Sequence, residues 1–314
     1  MSKISSADSP RATDVLCVGE AMVLLTPADS RRLEHTELLE ISIGGAESNV
    51  ALYLCDMGVP AAWLSDVGDD PFGRRVIATL RSAGVNVDRV SVRPDAPTAV
   101  YFKDPNGEAT VVHYYRDDSA AARMGPESIH DAAIASTRVV HMSGITPALS
   151  ESCAAMIDHA MERCRELGTV FSFDVNHRPG LWSAASAAPV LRSLARKSGI
   201  VFVGRDEGER LWGTPTADAI AEYLDIDGVL VVKDGEIGAS EYQHGERVFL
   251  RAPDVDVVEP VGAGDAFAAG YLAEWLRFDS TARERLESGH AVAQRALTSI
   301  HDFQPSPSVK GSAR

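Results

Sequence analysis

Glu259-Pro-Val-Gly-Ala-Gly-Asp-Ala-Phe267 is a glycine-rich turn running straight into an apolar helix. Gly262 and Gly264 let the backbone curl so that successive N–H groups point one way. Those donors, with the positive end of the helix dipole behind them, make an anion site. Asp265 falls in the first helical turn, beside that anion. A carboxylate there is poorly placed to bind phosphate, but well placed to take a proton from a hydroxyl attacking it. Spacing alone does not separate this from a capped helix whose first-turn acid is merely favourable.

Upstream, the chain alternates short apolar runs with helical patterns. Val15-Leu-Cys-Val18 reads as a buried strand ending at Gly19, and 46–57 as a helix stopped by Gly58. A strand at 62–67 precedes Asp70-Pro71, a good N-cap and first-turn pair. The pattern resumes with strands at 138–142, 170–175, 200–203 and 229–232. Helices at 150–167, 187–197 and 217–224 stand between them. A hairpin-like stretch at 239–250 and two closing helices, 262–276 and 283–300, complete it. Such β-α-β alternation predicts a mostly parallel sheet covered by helices on both faces, with ligands beyond the carboxyl ends of the strands. A different texture interrupts it: 98–102 and 110–115 flank Asp104-Pro-Asn-Gly107 with no helix between them. With 38–43 they predict a small β-rich layer.

Composition narrows the function. The 314 residues carry 30 basic and 45 acidic side chains, a formal net charge of −15. That field repels phosphate backbones and anionic headgroups, which argues against nucleic acid and membrane surfaces as partners. The polar N-terminal stretch has no apolar core of a signal peptide, and the expected compartment is the cytoplasm. Cys17, Cys55, Cys153 and Cys164 form no C-x-x-C pair and read as buried reduced thiols. Gly19 is followed by Glu-Ala-Met-Val, not a G-x-G-x-x-G turn, which excludes a dinucleotide oxidoreductase.

A second double glycine opens a helix at Ile43-Gly-Gly-Ala-Glu-Ser-Asn-Val-Ala51. Gly44 and Gly45 permit close approach of a ligand, and Asn49 can donate and accept toward sugar hydroxyls. In this order and at about this separation, the two motifs resemble the paired signatures of the PfkB (ribokinase-like) carbohydrate kinases. The resemblance runs over about residues 14–300. It implies a three-layer α/β/α sandwich with a mostly parallel central sheet and a small β-sheet lid. One kinase domain is expected at 14–303, with lid segments at about 36–43 and 97–116 and disordered ends at 1–13 and 304–314. It also implies ATP with Mg²⁺, Asp265 as catalytic base, and an anion hole from the backbone of Gly262, Ala263 and Gly264. Lys233-Asp-Gly-Glu-Ile-Gly238 resembles the nucleotide-side loop, with Lys233, Gly235 and Gly238 toward the nucleotide; a plain β-turn describes the same backbone.

Tyr114-Tyr-Arg-Asp-Asp-Ser-Ala-Ala121, His141-Met-Ser-Gly-Ile-Thr146 and Phe173-Asp-Val-Asn-His-Arg-Pro-Gly-Leu-Trp182 resemble the 2-keto-3-deoxygluconate kinases of that family. The implied product is the 6-phosphate of the sugar acid. Substrate roles then fall on Gly45, Tyr101, Tyr114, Arg116 and Arg178. The physical logic agrees: an acidic protein needs placed cations to hold a substrate carboxylate, and the guanidinium fork suits one. A neutral sugar such as fructose or ribose is the alternative, and a non-catalytic sugar-binding relative a further one. Two departures matter. The family's Asn-x-x-Glu is Gly204 to Glu207 here, leaving Glu207 to organise the metal's waters. The signature begins Glu259-Pro260 rather than Asp-Thr, so the need for a monovalent cation is left open. Exposed lid edges of this kind pair between subunits, and a homo-oligomer is expected.

Overall fold

Apolar runs such as Val15–Val18 have no polar face, so a strand made of them must be covered on both sides. The computed structural model, which describes residues 13–29, 31–106 and 109–306, shows how. Thirteen strands are present among the described residues: β1 (Val15–Val18), β2 (Met22–Pro27), β3 (Leu39–Gly44), β4 (Ala61–Gly68), β5 (Asn86–Arg93), β6 (Val100–Asn106), β7 (Ala109–Tyr115), β8 (Val139–Ser143), β9 (Val170–Asp174), β10 (Ile200–Gly204), β11 (Val229–Asp234), β12 (Gly238–Gln243) and β13 (Glu246–Arg251). Nine of them form one sheet in the order β13-β12-β11-β10-β9-β8-β1-β4-β5. Its seven strands from β11 to β5 run parallel; β12 and β13 are antiparallel at one edge.

Alternation along β1 sorts the two cores. Val15 and Cys17 pack into one cluster with Leu52, Tyr53, Leu80, Phe267 and Leu286. Leu16 and Val18 pack into the other with Met156, Leu191, Leu211 and Ile220. Helices Ala46–Asp56, Pro71–Ser82, Ala263–Trp275 and Ala282–Leu297 therefore cover one face. Helices Glu151–Leu167, Ala184–Lys197, Arg205–Trp212 and Ala217–Leu224 cover the other. The punctuation signals act as expected: the Asp70 side chain accepts from Gly73 N at 2.8 Å, and Gly168 ends its helix in the left-handed conformation. The four cysteines are free; three are buried and Cys55 is partly so. No helix among the described residues is long and apolar enough to cross a membrane.

The second sheet has four strands in the order β3-β2-β6-β7. Its central strand β2 was absent from the expected lid, as was β5 from the main sheet. The strand that ends at Val18 restarts at Met22 after only three residues, and Met22–Pro27 pairs with both β3 and β6. Residues 36–38 of the expected lid segment are irregular chain with a bend at Glu37, and Thr36 Oγ1 donates to the Leu38 carbonyl. Gly107 of the lid turn, and most of the end segments expected to be disordered, lie outside the described residues. The described parts of those ends are ordered. Thr13 is buried, Gln304 N donates to Tyr53 Oη at 3.0 Å, and Ser306 N donates to Asp56 Oδ1 at 3.0 Å.

One buried charge locks the closing helices to the antiparallel edge. Arg285 donates through Nε to Glu241 Oε2 at 3.0 Å, its Nη2 pairs with Glu241 Oε1, and Tyr271 Oη donates to Glu241 Oε2 at 2.6 Å. Removing one partner of a buried pair leaves an uncompensated charge, which costs about 3–5 kcal/mol. Arg285→Met is expected to lose stability in that range by urea denaturation. A loss below about 1 kcal/mol, the range of an exposed pair, contradicts a buried, singly compensated Glu241.

Candidate active site

The carboxyl ends of β1 and β8 to β11 open toward the four-stranded sheet, and polar side chains gather there. The two glycine-led helices meet at this place. Asn49, in the first helix, donates from Nδ2 to Asp265 Oδ2 at 2.9 Å, joining residues 216 positions apart. Asn49 Oδ1 is buried and has no partner among the described residues. Asp265 is 8% exposed. Burial pushes its carboxyl up to about 7, against the Asn49 hydrogen bond and the nearby Arg178 guanidinium, which both lower it. A carboxyl poised near neutrality can take and release a proton at working pH.

Gly262 has φ of 87° and precedes the helix. A Cβ on it would sit 2.9 Å from the Asp302 carbonyl oxygen, so both conformation and space call for glycine. The amides of Gly262, Gly264 and Asp265 have no acceptor among the described residues, whereas Ala263 N donates to the Pro260 carbonyl at 3.3 Å. Among the described residues, then, the Ala263 amide is engaged within the turn itself and the other three are left open.

Lys233 comes in beside this turn. A Cβ on Gly264 would lie 3.3 Å from its Nζ, which donates to Asp174 Oδ2 at 2.7 Å. Burial alone would lower the Lys233 pKa, but the facing carboxylates of Asp174 and Glu207 outweigh it and raise it. The ammonium is therefore charged and lies close to Gly264. Asp174 Oδ1 is buried without a partner among the described residues. Asp174 lies inside the 173–182 stretch but carried no expectation of its own; its position as the last residue of β9 was the available signal.

Glu207 is held by two backbone amides. Its Oε1 accepts from His177 N and its Oε2 from Gly204 N, each at 2.8 Å. It caps its helix and fixes the segment leading to Arg178. Burial and the Asp174 charge raise its pKa. Gly235 lies in the turn between β11 and β12, closed by Ile237 N donating to Asp234 O at 3.0 Å, and Gly238 opens β12 opposite Asp234.

The expected substrate residues divide. Arg178 is half-buried, and its side chain makes no hydrogen bond or ion pair among the described residues. Arg116 is buried and ion-paired with Glu20, which also accepts from Ser119 Oγ at 2.5 Å. Its charge is already met. Tyr101 stacks on Tyr114 with centroids 5.7 Å apart, and its hydroxyl donates to Asp302 Oδ2 at 2.8 Å. A Cβ on Gly45 would meet the Glu20 carbonyl at 2.3 Å, so this glycine serves backbone packing. Glu47, in the same motif, pins the loop after β8: its Oε1 accepts from Ser143 N at 2.9 Å, and burial pushes its carboxyl up to about 7.

Comparison with known proteins agrees with this geometry. A 2-dehydro-3-deoxygluconokinase of Thermoproteus tenax is 32% identical over 83% of this chain and 82% of its own. A 2-dehydro-3-deoxygalactonokinase of Haloferax volcanii is 34% identical over 84% of each chain. More distantly, a fructokinase of Rhizobium leguminosarum bv. trifolii is 29% identical over 86% of this chain and 82% of its own. Among solved structures, the PfkB protein of Polaromonas sp. JS666 superposes with a TM-score of 0.83 at 31% identity, over 96% of this chain and all of that one. The description "pfkB family carbohydrate kinase" matches residues 12–308, a span that includes both glycine-led helices and the Asn49–Asp265 bond between them, and the chain belongs to that family.

Proposed function

We propose that the protein transfers the γ-phosphoryl group of ATP to the terminal hydroxyl of a sugar acid, 2-keto-3-deoxygluconate or a close epimer, giving the 6-phosphate. The observation that carries this reading is a buried carboxyl, Asp265, held by Asn49 beside free backbone amides and a charged lysine. Asp265 takes the proton as the acceptor oxygen bonds to phosphorus, with the β–γ bridging oxygen leaving on ADP. The Gly262, Gly264 and Asp265 amides and Lys233 meet charge on the transferred group, and such placed donors supply most of phosphoryl-transfer catalysis. Mg²⁺ fits here: Asp174 Oδ1 is a buried oxygen without a partner among the described residues, and it would face the ion's waters. When bound, the ion supplies charge neutralisation on the phosphates.

The choice of a sugar acid now rests on Arg178 alone, since Glu20 already compensates Arg116. Arg178 is half-buried near the base with no ion-pair partner among the described residues, and its guanidinium fork suits a substrate carboxylate. A neutral acceptor such as fructose would leave it unused.

Asp265→Asn is expected to fold and bind Mg·ATP but to lose about 10²–10⁴-fold in kcat, the usual worth of a general base; near-normal turnover removes Asp265 from that role. Arg178→Ala is expected to raise KM for the sugar acid by about 10–100-fold, as when a charge-assisted hydrogen bond is lost, with KM for ATP little changed. Equal effects on both contradict the carboxylate contact. Because Asp265 acts ionised and its pKa is near 7, kcat/KM for the acceptor should fall about tenfold per pH unit below that value and level off above it. Asn49→Leu removes a hydrogen bond that lowers this pKa, so the acid limb should move to higher pH. A limb that stays in place assigns it to another group, of which Glu47 is the nearest match.

A further inference from the structure

Against the same glycine turn lies a second buried charge cluster that the chemistry above does not use. Lys103, on lid strand β6, is 1% exposed. Its Nζ donates to Asp302 Oδ1 at 2.8 Å and to the Ile300 carbonyl at 3.4 Å, and lies 3.9 Å from Glu259 Oε2. Glu259 and Asp302 are themselves buried, and among the described residues no other cation is within ion-pair distance of either. Both carboxylates grip the turn. Glu259 Oε1 accepts from Val261 N at 3.2 Å, inside the glycine motif, while its Oε2 accepts from Thr110 Oγ1 of β7 at 3.2 Å. The Asp302 backbone is the surface on which Gly262 lies, and its Oδ2 takes the Tyr101 hydroxyl.

Two buried carboxylates sharing one site repel unless a cation lies between them. Without the ammonium they would separate, and the turn between them would shift. We infer that Lys103 is a positioning residue for phosphoryl transfer: its ammonium is the internal counter-cation that holds Glu259 and Asp302 together, and through them keeps the amides of Gly262, Gly264 and Asp265 in anion-binding register. It touches neither acceptor nor nucleotide. The lid thereby contributes a charge to the nucleotide side as well as a cover to the sugar side, and the turn needs no added monovalent cation. The inference rests on the kinase reading above for its consequence on rate.

The test removes the ammonium and offers it back from solution. Wild type, Lys103→Ala and Glu259→Gln are assayed for kcat, sugar-acid KM and calorimetric Mg·ATP affinity, in sodium chloride and in ammonium chloride of equal ionic strength. A displaced catalytic turn costs about 100-fold, so Lys103→Ala should lose about that in kcat with acceptor KM nearly unchanged. Ammonium, filling the vacated space, should return about tenfold or more of the loss, and should restore the nucleotide affinity as well. Wild type should not respond to the exchange of salts. Glu259→Gln, in which Lys103 and Asp302 stay paired, should lose about tenfold in kcat that ammonium does not restore. A folded Lys103→Ala with wild-type kcat, or with a loss that ammonium leaves untouched, overturns the inference. If Lys103→Ala does not fold, Glu259→Gln decides: wild-type kcat overturns the inference and the expected loss supports it. If wild type phosphorylates no sugar at all, the kinase reading fails on its own, and the ammonium dependence of Mg·ATP affinity in Lys103→Ala still decides for or against Lys103.

Discussion

Asp265 works under one constraint: a carboxyl must be kept out of water, close to neutrality in pKa and in a single orientation. The 2.9 Å bond from Asn49 meets it, and it does so between helices that belong to opposite ends of the chain. Each helix begins with glycine because each N-terminus must approach backbone from elsewhere: Gly45 the Glu20 carbonyl, Gly262 the Asp302 carbonyl. The central sheet makes that meeting possible. With β1 flanked by β8 on one side and β4 on the other, the chain builds the sheet outward in two directions, and the crevice falls at the carboxyl ends of the inner strands.

Charge economy shapes the rest of the site. In an acidic chain the buried cations are claimed by carboxylates: Arg116 by Glu20, Lys233 by Asp174, Lys103 by Asp302, and Arg285 by Glu241. Buried pairs of this kind add little net stability against apolar packing, yet they are strict about geometry, because breaking one strands a charge. Three of the four border the turn, the acceptor crevice or the lid, where orientation matters most. Arg178 is the exception, charged and unclaimed, and that imbalance points to an anionic acceptor.

Much of the fold was legible in the sequence because its signals are local. Apolar runs, Asp70-Pro71 and Gly168 each carry their meaning within a few residues. The strands that escaped, Met22–Pro27 and Asn86–Arg93, lack that contrast: the first restarts at once after β1, and the second alternates weakly at the sheet edge. The site was half legible. Asp265, Asn49 and Lys233 follow from motif position, but their partners do not. Whether Arg116 is free or taken depends on Glu20, 96 residues away, and Glu207 turned out to cap backbone because two amides converge on it. Asp302, near the end of the expected domain, carried no expectation of its own and pairs with Lys103 of the lid, 199 residues away. Such pairings are products of tertiary closure, which no window of neighbouring residues contains.

The most direct test of the central claim is a coupled ADP-release assay with Mg·ATP against 2-keto-3-deoxygluconate, 2-keto-3-deoxygalactonate, gluconate, fructose and ribose. Strong turnover confined to the keto-deoxy acids is the expected result, and it would make Arg178 the residue that selects the acceptor. Turnover on fructose or ribose in preference to the acids would leave the fold and the Asp265 chemistry standing but contradict the sugar-acid assignment.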